Sequence, residues 1–216
     1  EPAGADLEGL VARGLFITFE GPEGAGKTTQ AHLLGEELRR VGHEVQVTRE
    51  PGGDPLAESI RALLQNPELA LVPRAELLLF LAARAQHVER VIRPALEDGK
   101  IVLCDRFADS TVAYQSYGAG LLLESVHQLN HFATSGLEPD LTLLLDLDVS
   151  LGLQRQGDWN RMELRGVEFH RRVRAGFLAL AKEHPERIRV LDASRPVPEV
   201  ARDIWACVEA LLHERS

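Results

Sequence analysis

Residues 16–30 read FITFEGPEGAGKTTQ, a short apolar run followed by a glycine-rich loop and the start of a helical pattern. No other stretch restricts the chain so tightly. GPEGAGKT fits the spacing Gly, four residues, Gly-Lys-Thr, in which glycines let the backbone curl until its N–H groups face one anion. Lys27 adds charge, the Thr28 hydroxyl can ligate a divalent metal, and the next helix points its N-terminus at the same spot. Such a loop holds the phosphates of a nucleoside triphosphate. It also demands a strand before it and a helix after it, and the sequence supplies both.

The rest of the chain keeps this alternation. Apolar runs predict strands at 14–20, 43–48, 100–105, 140–148 and 187–193. Between them, Ala31, Leu34, Leu38 and Val41 fall at helical spacing, and Gly42 stops that helix. Asp54 caps a helix over 54–66 with Pro55 at its first position. Residues 73–99 form a long helix perturbed near Pro94 and stopped by Gly99. Leu122, Val126, Leu129 and Phe132 mark another, closed near Gly136. Phe169, Val173, Phe177 and Leu180 share a face of the next. Val200, Ile204, Val208 and Leu211 make the last. Strands alternating with helices imply a five-stranded parallel sheet flanked by helices, with the ligand beyond the carboxyl ends of the strands.

Composition bounds the partners. A chain of 216 residues carries 24 basic against 33 acidic side chains, a net charge of −9. That argues against a duplex nucleic-acid surface, which needs a basic footprint. A small anionic ligand needs only a few local arginines. Cys104 and Cys207 have no metal-type spacing and read as free thiols in a reducing compartment. No apolar run spans a membrane, and the acidic start is not a signal peptide. The expectation is a cytoplasmic protein. Residues 1–13 read as a flexible N-terminal arm and 14–216 as a single domain.

No Asn-Lys-x-Asp guanine-reading segment exists, which argues against a signalling GTPase. A small kinase remains, and it needs an acceptor site. TREPGG (48–53) follows the second strand and offers Arg49 to an anion, though a solvated turn would read the same. Phe80 and Arg84 lie four apart on one helix face, a ring to stack on a base beside a guanidinium to donate to it. Read alone, a core phenylalanine beside a surface arginine fits that pair better. DRFADSTVAYQ (105–115) is denser in polar groups than folding requires. Asp105, ending an apolar strand, suits a metal–water network.

Taken in order, FEGPEGAGKTTQ, TREPGG, FLAARAQ, DRFADSTVAYQ, PDLTLLLD and a later RME strongly resemble the bacterial thymidylate kinases, over nearly the whole chain from Gly14. The resemblance implies a P-loop NTPase fold of nucleoside monophosphate kinase type with a short lid, transfer of a phosphoryl group from Mg·ATP to dTMP, and a homodimer. It places ATP on Gly21, Pro22, Glu23, Gly24, Ala25, Gly26, Lys27, Thr28, Thr29 and Arg155. Magnesium would sit on Thr28, with Asp105 reached through water. Arg49 and Arg106 would flank the acceptor phosphate. Phe80 would stack on thymine and Arg84 would donate to its O4. Ser110 and Gln115 would line the nucleoside pocket, and Tyr114 the deoxyribose. Glu23 would lie near the acceptor 3′-OH and the metal. The family's turn at Glu50–Pro51 contains a cis peptide.

RQGDWNRMELRG (155–166) is polar, basic and glycine-flanked, and reads as a lid over ATP; an ordinary surface loop is the alternative. The phosphate loop carries no arginine, and in this the chain resembles the branch of the family whose lid supplies that cation, so the resemblance makes Arg155, Arg161 and Arg165 the candidates. Arg161 is taken as the catalytic one and Arg155 as the group beside adenine. Trp159-Asn160 departs from the glycine and charge that the family would put there. Two other readings stay open: a kinase for a different nucleotide, and a regulatory protein that binds nucleotide without turnover. Leu77, Leu78, Leu79, Leu81 and Val88 spread round more of their helix than one core stripe requires, which favours dimerisation.

Overall fold

Each apolar run assigned to a strand forms one, and all the strands run parallel. They are β1 (Phe16–Glu20), β2 (Val45–Arg49), β3 (Ile101–Asp105), β4 (Leu141–Asp146) and β5 (Ile188–Asp192), hydrogen-bonded in the order β2-β3-β1-β4-β5. Thr18 at mid-β1 lies opposite Cys104 on one side and Thr142 on the other. The five-stranded parallel sheet flanked by helices is therefore as the sequence implied. The structure, a computed structural model, describes residues 13–155, 161 and 164–215. Nearly all of the expected arm over 1–13, and the unusual Trp159-Asn160 pair of the expected lid, lie outside the described residues.

The helices are α1 (Lys27–Arg40), α2 (Pro55–Gln65), α3 (Pro73–His87), α4 (Arg93–Glu97), α5 (Ala108–Thr111), α6 (Leu123–Thr134), α7 (Val149–Gln154), α8 (Val167–Glu183) and α9 (Val197–Arg215). Asp54 caps α2 by accepting from the Leu56 N–H at 2.9 Å. The long helix expected over 73–99 remains helical but is broken by a wider, π-type turn at Val88–Ile92. Pro94 causes this: it has no N–H to give, and its ring crowds the carbonyl four residues back. A second π-type turn, Val112–Gly118, extends α5 and carries Tyr114 and Gln115.

Alternation along β1 sorts the core into two layers. Ile17 and Phe19 face α1 and α9, where Leu34, Leu38, Ile204 and Val208 cover them. Phe16 faces the other side, among Val88, Ile92, Val102 and Phe107. Thr18 and Glu20 also point to that second side, where aliphatic residues would be the default. Thr18 pairs its hydroxyl with Thr142 at 2.8 Å, and Glu20 is committed to the site described below. Phe132, on the stripe that marked α6, is 83% exposed, and the helix instead buries Val126, Asn130 and Ala133. No helix among the described residues is long and apolar enough to cross a membrane.

Candidate active site

Parallel strands deliver their carboxyl ends to one edge of the sheet, and there a cleft of about 500 Å³ opens. Its floor is the phosphate loop between β1 and α1. Gly24 holds φ 71, and a Cβ there would come within 2.2 Å of the Gly152 carbonyl; a Cβ on Gly152 would come within 2.3 Å of the Glu23 carbonyl. Two backbones thus touch where no side chain fits. Lys27 arches back over the loop and donates to the Pro22 carbonyl at 2.8 Å. Thr28 donates its hydroxyl to Asp105 at the end of β3. Thr29 lines the cleft beside them.

Glu23, Arg106 and Tyr114 close a ring over the loop. Arg106 pairs with Glu23 at 2.9 Å, Tyr114 donates to Glu23 at 2.8 Å, and Arg106 donates to the Tyr114 hydroxyl at 3.2 Å. Burial would push the Glu23 carboxyl up, but Arg106 and Lys27 outweigh it and hold the group down at about 2. Arg106 itself adopts φ 70, a left-handed backbone uncommon outside glycine. Glu20 stabilises the turn. Its Oε1 accepts from Phe107 N at 2.8 Å and Ser110 N at 3.1 Å, and its Oε2 from the Ser110 hydroxyl at 2.5 Å. Burial, then the neighbouring Asp109, push the Glu20 carboxyl up to about 7. Ser110, expected as a pocket-lining donor, has given its proton to Glu20 and accepts from Arg106 at 3.1 Å. It lines the cleft, and it steadies Arg106 from below.

Arg84 corrects the plain reading of its pair: it is not a surface arginine. It is only 2% exposed, yet it lines the cleft together with Phe80. Its Nε donates to Glu50 at 2.7 Å, Nη1 to Thr111 at 2.8 Å and Asn130 at 2.6 Å, and Nη2 to the Phe107 carbonyl at 2.9 Å. Glu50 also meets His87 at 3.0 Å, and the Glu50–Pro51 peptide is cis. Burial pushes the Glu50 carboxyl up, but Arg84 and His87 together bring it below its ordinary value. Gln115 lies at the same end, its amide donating to the buried Glu76 at 2.9 Å.

Arg49 and Arg106 both line the cleft, as expected for an anion site. Arg49 is held by Glu58 at 3.1 Å. Arg61, which sequence reading missed, joins them from α2 and donates to the Pro51 carbonyl at 2.8 Å. Burial, then the nearby Arg49, lower the Arg61 pKa. The missed signal was its place between Ala57 and Leu64, four before and three after, both buried on the inner face of α2. Arg155 reaches the Gly24 and Ala193 carbonyls at 3.4 and 3.3 Å, beside the phosphate loop. Arg161 and Arg165 do not line the cleft. Both pair with Glu76 at 2.6 Å, and Arg161 also donates to the Leu64 carbonyl at 2.9 Å.

Thr28 and Asp105 offer hard oxygen donors in contact at the mouth of the loop, and no group of three carboxylate, imidazole or thiol side chains converges among the described residues. A magnesium ion that keeps most of its ligands as phosphate oxygens and water fits that donor set. Chemically, the site can fix a polyphosphate, neutralise it from several sides, and hold a flat ring between Phe80 and Arg84. It contains the elements of phosphoryl transfer, which needs positioning and charge more than a strong base.

A family profile described as thymidylate kinase matches residues 19–204. Thymidylate kinase of Deinococcus radiodurans is 53% identical over 206 residues, covering 94% of this chain and 100% of that protein. That of Desulfovibrio desulfuricans is 52% identical, covering 93% and 98%. A crystal structure of thymidylate kinase from Ehrlichia chaffeensis superposes with a TM-score of 0.77 at 39% identity, covering 91% of this chain and 99% of that one.

The lysine gives the site a pH signature. Burial, then Arg106, lower the Lys27 pKa to about 8 in the free protein, against the pull of Glu23, Asp105 and Glu20. Bound phosphates favour the charged form. Above pH 8 the protein must therefore take up a proton to bind ATP, and affinity is expected to weaken by up to about tenfold per pH unit. Calorimetry near pH ~8.5 in buffers of different ionisation enthalpy should detect that uptake. Lys27→Met should bind more weakly, with a flat profile. Equal heats in all buffers, once corrected for the ligand, would show that Lys27 was charged from the start.

Proposed function

The chain belongs to the thymidylate kinase family, and we propose on that basis that it transfers the terminal phosphoryl group of ATP to dTMP, giving ADP and dTDP. The observation that carries this reading is one cleft lined by six cations, Lys27, Arg49, Arg61, Arg106 and Arg155, and Arg84 beside Phe80. In a protein of net charge −9 such a cluster is a local exception, and it suits two phosphate-bearing ligands.

ATP lies on the loop from Gly21 to Thr29, with Lys27 on its outer phosphates and Arg155 beside adenine. Magnesium would be held by Thr28 with Asp105 nearby, and would supply charge neutralisation at the phosphates. Arg106 reaches the acceptor phosphate, and Arg49 and Arg61 approach it from the β2 side. Glu23 keeps Arg106 and Tyr114 in place and lies near the acceptor sugar. Catalysis is then placement and neutralisation of charge, with no strong base. Arg161 is the proposed lid cation, exchanging Glu76 for the transferring phosphoryl group. Arg161→Ala should lower kcat more than it raises KM for dTMP, because that contact belongs to the transition state. An unchanged kcat would move the role to Arg155 or Arg165.

The molecule acts as a homodimer in the cytoplasm, where Cys104 and Cys207 stay as thiols. Of the α3 leucines, Leu77 and Leu81 are buried and Leu78 is 57% exposed; neighbouring α6 adds the exposed Phe132. A pair of copies would cover these groups. Sedimentation at micromolar concentration should show a dimer, and Phe132→Asp should shift it toward monomer. A monomeric parent protein would remove the proposal.

Base choice rests on Arg84. Four of its five N–H groups are spent on protein acceptors, and an arginine can only donate. The fifth would satisfy the 4-carbonyl of thymine or uracil and would confront the 4-amino group of cytosine. Leaving two buried donors face to face costs about 1–3 kcal/mol each. Loss of the thymine methyl alone costs about 1–3 kcal/mol at most. An ADP-release assay should therefore rank kcat/KM as dTMP, then dUMP, then dCMP. Arg84→Ala is a poor test, since it leaves the buried Glu50 with His87 alone, at a cost of up to about 3–5 kcal/mol of stability. Equal use of dCMP and dTMP by the intact protein would refute the assignment.

A further inference from the structure

Asn130 sits on α6, buried, and does not line the cleft. Helices rarely bury an asparagine for packing alone, because both ends of its amide then need partners. Here both are found. Oδ1 accepts from Arg84 Nη1 at 2.6 Å, and Nδ2 donates to the Ala108 carbonyl at 3.1 Å. The amide cannot be turned over, since a flipped group would set donor against donor at Arg84 and acceptor against acceptor at Ala108.

We propose that Asn130 is a specificity-positioning residue: with Thr111 it takes both Nη1 protons of Arg84 and so fixes which N–H is left for the nucleobase. The inference rests on the reading of Arg84 as the contact to the 4-carbonyl. A guanidinium discriminates carbonyl from amino only if it cannot move aside. With Nε on Glu50, both Nη1 protons on Thr111 and Asn130, and one Nη2 proton on Phe107, its plane is fixed from three edges. An arginine released at Nη1 can tilt and admit water, and then a cytosine amino group meets no rigid opposing donor. The contact to a carbonyl weakens at the same time.

The test compares kcat/KM for dTMP and dCMP, with saturating Mg·ATP, in the parent protein, Asn130→Leu and Asn130→Asp, together with thermal melting. In Asn130→Leu the dTMP:dCMP ratio should fall by about tenfold or more, mainly through loss on dTMP. Asn130→Asp keeps an acceptor for Arg84 but sets a carboxylate oxygen against the Ala108 carbonyl, so it should lower use of both substrates while holding their ratio within about threefold. A residue that only supports the fold would lower both substrates by one factor, and that result for Asn130→Leu overturns the proposal. So does a collapsed ratio in Asn130→Asp. If the leucine variant does not yield soluble protein, Asn130→Ser is judged by the same ratio. A parent protein without preference for dTMP would overturn the reading of Arg84 and this inference with it. A clear parent preference that Asn130→Leu leaves intact overturns this inference alone.

Discussion

The peptide of Phe107 is gripped from both sides, and the rest of the site hangs on that grip. Its N–H goes to Glu20 at the end of β1, and its carbonyl to Arg84 from α3. Its ring lies edge-on to Phe16 at 4.9 Å and under the Arg84 guanidinium at 5.3 Å. Held there, the preceding residue must turn sharply, and Arg106 takes a backbone conformation that costs an L-residue about 1–2 kcal/mol. The reward is aim. Arg106 leaves β3 pointing back over the phosphate loop at Glu23, where the charges of two ligands would meet. Glu20 and Glu50, both buried, work as a pair on either side of β3: one holds the turn, the other holds the arginine that holds the turn.

The cleft stores its positive charge in a neutralised form. Arg106 rests on Glu23 and Arg49 on Glu58. These carboxylates occupy places where phosphate oxygens would do the same work. Cations left bare around one cavity would repel one another: after burial, Arg106 is what lowers Lys27 and Arg49 what lowers Arg61.

Much of this was legible in the chain itself. The central strands β1, β3 and β4 announced themselves because they are buried on both faces, and the phosphate loop because only glycines permit its curl. Asp105, Arg106 and Tyr114 stood out as polar groups crowded behind an apolar strand. What stayed hidden depends on contacts far apart in sequence. Arg84 looked like a surface residue because nothing nearby reveals Glu50, 34 positions earlier, or Asn130, 46 positions later. Phe132 marked a helix correctly and says nothing about which way that helix faces; the buried Asn130 decides that. Arg61 was passed over as one more charge on a capped helix, though its neighbours on the same face were apolar. Pro94 had marked the disturbance in the long helix, but the π-type turn at Val112–Gly118 escaped, since a single widened turn leaves almost no trace in a periodic pattern.

The touching backbones of Gly24 and Gly152 have a consequence for how far this chain can drift. A methyl group on Gly24 would strike the Gly152 carbonyl and one on Gly152 the Glu23 carbonyl, main-chain atoms in both cases and not a side chain that could be trimmed to make room. No compensating exchange exists between them: shrinking one residue cannot free space for the other when both are already glycine. The two codons, 128 residues apart, form one locked unit (152 − 24 = 128). In a library sampling every amino acid along the gene, both columns should come back nearly blank, even where the residues flanking them vary freely.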